Sequence, residues 1–222
     1  MRDPIFMIEI IPAILEKDFS GVAKKIQRVD AEAQSISWVQ LDIMDGVFVP
    51  NTTWNFAQDL LTIQTRLFFE VHLMVANPQD EIRAWLTIPN VGRIIFHSEA
   101  IAGAQRVNTI VKIKEQRKEV GIALNPSTSL EEVRDHITIL DEVLVMTVSP
   151  GFSGQPFKEG VLNKMRALKE MYPNMVVGVD GGINMETAER VIAAGATRLS
   201  VNSYLWKSAD IEEAIRTLLP QK

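Results

Sequence analysis

The run WVQLDIM (38–44) carries the clearest structural pattern in the chain. It is short and apolar, which is typical of a buried strand, but it also contains two polar residues. Side chains alternate along a strand, so Gln40 and Asp42 share one face and the apolar residues between them share the other. An aspartate among apolar neighbours is costly to bury unless it is paired, protonated or bound to a metal. This face is therefore either solvated surface or the floor of a site.

Seven further apolar runs of similar length accompany this one along the chain. They predict strands at 7–11, 67–75, 93–97, 120–124, 142–148, 175–180 and 197–202. Between the runs, apolar residues recur at helical spacing, most clearly at 18–33, 103–118, 128–136 and 185–194. Such an alternation of strands and helices predicts a parallel α/β fold.

The number of repeats favours one closed (β/α)8 barrel, a TIM barrel. Such barrels take about 200 residues or more, and this chain has 222 residues. An open, doubly wound sheet is the alternative, but no Gly-x-Gly-x-x-Gly turn follows the first strand. No linker or break in composition divides the chain, so we expect a single barrel domain over residues 1–222.

Composition and net charge limit the kinds of binding partner and site that we expect for this chain. The chain is 46% hydrophobic and 23% charged, which is typical of a folded globular protein. A net charge of −5, without a long run of one sign, argues against nucleic acid or an anionic membrane as a partner. The absence of cysteine excludes disulfides, thiolate zinc sites and a cysteine nucleophile. The apolar N-terminal segment is interrupted by charges and Pro4, which makes it a poor signal peptide, so we expect a cytoplasmic location.

Polar residues collect where the predicted strands end, which is where barrel enzymes carry their chemistry. These residues are Asp42, Asp45, His72, His97, Asn125 and Asp180. Two carboxylates and an imidazole, from Asp42, His72 and Asp180, suit a divalent cation such as Zn²⁺, Mn²⁺ or Fe²⁺. The alternative is structural, because a histidine can be part of a barrel core and an aspartate can cap a helix.

Glycine and serine are concentrated in the loops after the last three strands. The segments are SPGFSGQPF (149–157), DGG (180–182) and NS (202–203). Glycines allow the backbone to approach a ligand closely, and backbone amides donate to phosphate oxygens. The sequence therefore favours a phosphate site at this end of the barrel, with ordinary tight turns as the alternative.

Six segments also resemble the signature sequences of the ribulose-phosphate 3-epimerase family. In order they are LDIMDGVFVPN, VHLMV, FHSEA, GIALNPST, VLVMTVSPGFSGQPF and VDGGIN, and the resemblance runs from about residue 8 to residue 206. It implies a metal-dependent TIM barrel of the ribulose-phosphate-binding type. It also implies an isomerase of the pentose phosphate pathway in carbohydrate metabolism, which interconverts D-ribulose 5-phosphate and D-xylulose 5-phosphate at C3.

The resemblance also implies roles for individual residues. Asp42 and Asp180 would be both metal ligands and the acid–base pair, with His72 as a further ligand. Inversion at C3 through an enediolate requires one acid–base group on each face of the intermediate, which accounts for two aspartates. Three methionines would form an apolar wall beside the intermediate, namely Met44, Met74 and Met146. The phosphate would be lined by Gly151, Ser153, Gly154, Gly181, Gly182, Asn202 and Ser203. A homo-oligomer is expected by analogy with the family.

The sequence departs from the family pattern at four positions. Gln40 replaces a histidine ligand, Ala13 a serine, Ser149 an acidic residue and Asn202 a glycine. Gln40 still offers a carbonyl oxygen as a metal ligand, which suits Mn²⁺ or Mg²⁺ better than Zn²⁺. The metal is therefore expected to be one of Zn, Fe, Mn or Mg.

Two other functions remain open at this stage. One is an epimerase or isomerase of another ketose phosphate with altered metal use. The other is a catalytically weak barrel that binds a sugar phosphate, which Gln40 and Ala13 support. The related decarboxylase branch is disfavoured, because its Asp-x-Lys-x-x-Asp arrangement is absent from LDIMDG and from EVHLMV.

Overall fold

Eight parallel strands close into a barrel in the computed structural model, which describes residues 8–220. The strands are Glu9–Ile14 (β1), Trp38–Met44 (β2), Phe68–Met74 (β3), Val91–His97 (β4), Glu119–Leu124 (β5), Glu142–Met146 (β6), Val176–Asp180 (β7) and Arg198–Val201 (β8). Each strand pairs with its neighbours in sequence, and β1 also pairs with β8. The predicted TIM barrel and its eight strands are confirmed; Met7, assigned to the first strand, lies outside the described residues.

Helices surround the barrel and follow the strands in order. They are Phe19–Glu32 (α1), Pro78–Leu86 (α2), Gly103–Glu115 (α3), Glu131–Arg134 (α4), Val161–Met171 (α5), Met185–Ala193 (α6), Ser203–Trp206 (α7) and Ile211–Leu218 (α8). The crossover from β2 to β3 carries only a 3₁₀ helix at Ala57–Thr62, and a second 3₁₀ turn at Ile137–Ile139 follows α4. Within residues 8–220, no helix has the length and apolar character needed to cross a membrane.

Side-chain caps set where two of these helices begin. The Asp18 carboxylate accepts a hydrogen bond from the backbone N–H of Gly21 at 2.9 Å, which satisfies a donor of the first turn of α1. Asn184 and Thr187 form a reciprocal capping box at the start of α6. The capping box of α6 fixes the point at which the helix after β7 begins, and therefore the length of the loop that carries Gly181 and Gly182.

The strand register determines which side chains meet inside the barrel. Asp42 is paired with His72 across β2 and β3, and Met44 is paired with Met74 two residues further on. On the other side of the barrel, Asp180 of β7 is paired with Ser200 of β8. Paired residues on parallel strands point the same way, so these polar side chains form one layer near the carboxyl ends of the strands.

Candidate active site

Three strands bring two carboxylates and an imidazole together inside the barrel. Asp42, His72 and Asp180 each offer a ligand atom, and these atoms all lie within 4.8 Å of one another. All three side chains are buried. The cluster fits the donor set that a divalent transition-metal ion takes, so these residues could hold such an ion.

The charges of this cluster are strongly coupled. Burial and the negative charge of Asp180 raise the pKa of Asp42. Burial acts to lower the pKa of His72, but hydrogen bonds and charge interactions with the two carboxylates outweigh it and raise the pKa to about 10. Nδ1 of His72 lies 3.2 Å from Oδ1 of Asp42 and 3.3 Å from Oδ2 of Asp180. The imidazole of His72 therefore carries a positive charge beside Asp42 and Asp180 when no metal is bound.

A second histidine supports the first. Nε2 of His72 lies 3.0 Å from Nε2 of His97, and Nδ1 of His97 lies 3.3 Å from Oε2 of Glu99. Burial lowers the pKa of His97 to about 4, so this ring is neutral at physiological pH. With its hydrogen directed to Glu99, His97 accepts the Nε2 hydrogen of His72 and fixes Nδ1 of His72 toward the carboxylates. The sequence placed His97 at a strand end but did not reveal this role.

Gln40 lies fully buried beneath the two carboxylates. Its Nε2 donates to Oδ1 of Asp42 at 2.7 Å and to Oδ2 of Asp180 at 3.0 Å. Its Oε1 accepts a hydrogen bond from the hydroxyl of Ser200 at 2.6 Å. The carbonyl oxygen that we expected to bind a metal is thus turned toward Ser200, and Gln40 as a ligand stays a prediction. Sequence reasoning missed Ser200 altogether.

A pocket opens above this cluster at the carboxyl end of the barrel. Of the expected site residues, those that line it are Asp42, Met44, Met74, Met146, Gly151, Ser153, Gly154, Asp180, Gly181, Gly182, Asn202 and Ser203. Gln40 and His72 lie below its floor and are fully buried. Leu15, Val148 and Phe152 also line the pocket and were not expected. The pocket therefore combines a charged floor, an apolar wall and a glycine-rich rim.

The glycine-rich rim owes its shape to left-handed backbone conformations. Gly181 has φ +110°, and a Cβ there would clash with Val148; Gly182 has φ +62°. Among the described residues, the backbone N–H groups of Gly154, Gly182 and Ser203 donate to no protein acceptor. These donors at the rim are available to an anionic ligand.

Two polar residues of the loop after β2 organise the rim instead of contributing to the floor. Asp45 accepts hydrogen bonds from the backbone N–H groups of Val47 and Phe48, and from that of Ala76 after β3. Asn51 donates to the backbone oxygen of Gly151 at 2.8 Å, which joins the loop after β2 to the loop after β6. Asp45, which the sequence placed among the strand-end polar residues, therefore has a structural role.

Two of the departures from the family pattern also have visible contacts. The backbone oxygen of Ala13 accepts a hydrogen bond from the indole of Trp206 at 2.7 Å. The hydroxyl of Ser149 lies 2.8 Å from Nζ of Lys158, which donates to it. Neither side chain carries charge into the pocket.

Comparisons with known proteins agree with this geometry. Residues 9–206 match the model of the ribulose-phosphate 3 epimerase family. The ribulose-phosphate 3-epimerase of Bacillus subtilis (strain 168) is 36% identical over 222 residues, covering 97% of this chain and 100% of that protein. The protein of the same name from Treponema pallidum (strain Nichols) is 38% identical over 192 residues, covering 84% and 86%.

Solved structures agree on the fold. The 3-hexulose-6-phosphate synthase from Salmonella typhimurium superposes with a TM-score of 0.67 at 11% identity, covering 95% of this chain and 96% of that one. The orotidine 5'-monophosphate decarboxylase from Sulfolobus solfataricus gives a TM-score of 0.63 at 11% identity, covering 95% of each chain. At this identity the likeness shows the barrel alone, whereas the sequence matches show that the chain belongs to the ribulose-phosphate 3-epimerase family of carbohydrate isomerases.

Proposed function

We propose that this protein interconverts D-ribulose 5-phosphate and D-xylulose 5-phosphate by moving a proton at C3. The observation that carries the proposal is the pair of buried carboxylates, Asp42 and Asp180, at the floor of a pocket with a glycine-rich rim. Membership of the family supports the same reaction, because the relatives are named for it.

In this proposal the two aspartates act as the base and the acid. The raised pKa of Asp42 favours a state in which one carboxyl is protonated while the other is ionised. The ionised carboxylate removes the proton from C3 and leaves an enediolate. The protonated carboxyl on the other side then returns a proton to C3, which inverts the configuration, and the two residues exchange roles in the reverse direction.

A divalent cation would be held by Asp42, His72 and Asp180. Gln40, which the sequence predicted as a further ligand, instead donates through Nε2 to the two aspartates. Such a cation would act as a Lewis acid toward the carbonyl oxygen of the ketose. The cation would be Zn²⁺, Fe²⁺, Mn²⁺ or Mg²⁺. Around it, Met44, Met74 and Met146 would exclude water from the enediolate and so limit its loss to side reactions.

The phosphate of the substrate would bind at the rim. No lysine or arginine lies in the loop segments 149–157, 180–182 and 202–203. Recognition would therefore rest on the backbone N–H groups of Gly154, Gly182 and Ser203, with Gly151, Ser153, Gly181 and Asn202 shaping the loops around them. A phosphate held there would place the sugar chain across the pocket toward the carboxylates.

Proton exchange with solvent tests the proposal directly. In D₂O, with Mn²⁺, Zn²⁺ or Fe²⁺ supplied, the protein should incorporate deuterium at C3 of both ketose phosphates. Asp42→Asn and Asp180→Asn should each lower turnover by about 10²–10⁴-fold or more, because each removes one acid–base group. Glu70→Gln is the matched control, since Glu70 is also a buried barrel carboxylate but contacts Arg93 and does not line the pocket.

Three results would redirect the proposal. Deuterium incorporation that survives both aspartate substitutions would assign the proton transfer to other residues. No incorporation by the wild-type protein would favour a barrel that only binds sugar phosphates. Faster turnover of another ketose phosphate would identify that compound as the substrate of the same proton transfer. A homo-oligomeric state and a cytoplasmic location stay predictions.

A further inference from the structure

Ser200 lines the pocket close to Asp180, and its hydroxyl donates a hydrogen bond to the carbonyl oxygen of Gln40. We infer that Ser200 is a positioning residue, which holds the Gln40 amide so that its nitrogen bridges the two carboxylates of the proposed acid–base pair. In this arrangement Gln40 is a neutral hydrogen-bond bridge and not a metal ligand. The catalytic meaning of the bridge rests on the proposed function, whereas its geometry does not.

The hydrogen bonds around the amide define its orientation. The nitrogen has two hydrogens, and they are directed at Oδ1 of Asp42, 2.7 Å away, and at Oδ2 of Asp180, 3.0 Å away. The opposite orientation would place the carbonyl oxygen of Gln40 against two carboxylate oxygens, so that acceptors would face acceptors. Ser200 reinforces the observed choice, because its hydroxyl donates to the carbonyl oxygen at 2.6 Å.

The position of Ala13 leaves room for this contact. Gln40 lies on β2 and Ser200 on β8, the two strands that flank β1 in the barrel. The β1 residue in register with Gln40 is Ala13, which is fully buried and has only a methyl group as its side chain. The Gln40–Ser200 hydrogen bond therefore crosses β1 inside the barrel, and the two departures at positions 13 and 40 belong to one arrangement.

The bridge gives the carboxylates a shared donor without neutralising either of them. Both carboxylates are buried, and like charges in a buried site repel each other. The amide holds the two groups at a fixed separation and leaves the remaining oxygens of Asp42 and Asp180 for a ligand. A metal ion would then be held by Asp42, His72 and Asp180 without help from Gln40.

Amide NMR on the metal-free, full-length protein tests the positioning role. The side-chain NH₂ signal of Gln40 is identified as the one lost in Gln40→Leu. In Ser200→Ala its hydrogens should exchange with water at least about tenfold faster than in the wild-type protein, because the amide loses its anchor. Ser200→Thr, which keeps a hydroxyl, should restore slow exchange. Ser98→Ala is the matched control, since Ser98 is buried and its hydroxyl has no partner among residues 8–220. Unchanged exchange in Ser200→Ala overturns the inference.

Calorimetric titration with Mn²⁺ tests whether Gln40 is a bridge or a ligand. A bridge that only orients Asp42 and Asp180 predicts that Gln40→Leu weakens Mn²⁺ binding by no more than about 100-fold. A larger loss would make Gln40 a ligand and overturn the inference. Mn²⁺ is a suitable probe because it prefers the oxygen ligands that this site supplies.

Kinetics separate this inference from the proposed function. If the wild-type protein epimerises, Ser200→Ala should lower kcat about tenfold and leave KM within about twofold, and Ser200→Thr should recover kcat. An unchanged kcat in Ser200→Ala would deny the bridge a part in catalysis. If the wild-type protein incorporates no deuterium while its amide still responds to Ser200→Ala, the bridge stands and the proposed function fails.

Discussion

The two ends of the barrel both bury a pair of carboxylates, but they stabilise them differently. At the carboxyl end, Asp42 and Asp180 contact an imidazole and a neutral amide. At the amino end, Glu70 and Glu142 contact the buried guanidinium of Arg93. A guanidinium stays charged at every physiological pH, whereas an imidazole can lose its proton and an amide carries no charge.

The amino end is an ion network in which guanidiniums neutralise the buried carboxylates. Arg198 donates to Glu142 at 2.7 Å, and Arg93 donates to Glu119 at 2.7 Å, so the two guanidiniums share several carboxylates. Burial alone therefore does not make a carboxylate reactive. What distinguishes the carboxyl end is that its partners leave the carboxylates free to exchange protons.

Removal of Arg93 should produce the largest loss of stability. Arg93→Met leaves Glu70 and Glu142 buried with one guanidinium fewer, and breaking a buried pair from one side typically costs about 3–5 kcal/mol. Urea denaturation of the variant measures this change. Arg134→Met, which removes an exposed arginine paired with Glu131, should leave the unfolding free energy unchanged. Equal effects of the two substitutions would mean that the amino-end network contributes no more than a surface pair.

The pH dependence of stability should carry the signature of Glu70. Burial and the charge of Glu142 raise the pKa of Glu70 to about 7, above its ordinary value. A carboxyl with a raised pKa in the folded state stabilises the protein below its unfolded pKa and loses that contribution as the pH rises through 7. The unfolding free energy should therefore fall between about pH 4.5 and pH 7, with a contribution on the order of 3 kcal/mol from this residue. Glu70→Gln should flatten this decline, and an unchanged slope would contradict the assignment.

Two glycines test the difference between the two ends, Gly178 within β7 and Gly181 directly after it. A Cβ at Gly178 would clash with Oε1 of Glu142 in the amino-end network, and a Cβ at Gly181 would clash with Val148 at the rim. Each alanine substitution should cost about 1–3 kcal/mol of stability. Only Gly181→Ala should also raise KM, because it alone moves the phosphate loop. Gly103→Ala is the control for backbone strain without a clash, since φ is +56° and no atom lies within 4 Å of a Cβ there. A raised KM in Gly178→Ala would mean that the two ends are coupled.

The carboxyl-end aspartates should show the smallest effect on stability. Asp42→Asn or Asp180→Asn relieves repulsion between two buried carboxylates but weakens a contact with His72. We expect the unfolding free energy to change by less than about 1.4 kcal/mol, the equivalent of one pKa unit. Urea denaturation of these two variants and of Arg93→Met compares their unfolding free energies. A loss as large as that of Arg93→Met would make the aspartates structural.

The barrel and most of the pocket residues could be predicted from the sequence, but the contacts between side chains of distant strands could not. Alternation predicted β2 and β3 well, because polar and apolar residues alternate clearly there. The same alternation places Glu70 and His72 on one face of β3, so the buried carboxylate at the amino end could also have been predicted from the sequence. No sequence pattern predicts the role of Ser200, because a serine in a short strand is ordinary and its hydrogen-bond partner lies on β2. The crossover from β2 to β3 contains only the 3₁₀ helix Ala57–Thr62, because this segment is too short for an apolar helical stripe.

Closure of β8 onto β1 has a consequence for the order of events during synthesis. Asp42 leaves the ribosome early, whereas Asp180 and Ser200 belong to the last two strands. At the usual translation rates, the roughly 140 residues between the two aspartates take about 10–30 s to make. Throughout that interval the nascent chain has a polar floor without its opposing carboxylate or the bridge between them. The pocket is therefore assembled late, by the same strand pairing that completes the barrel wall.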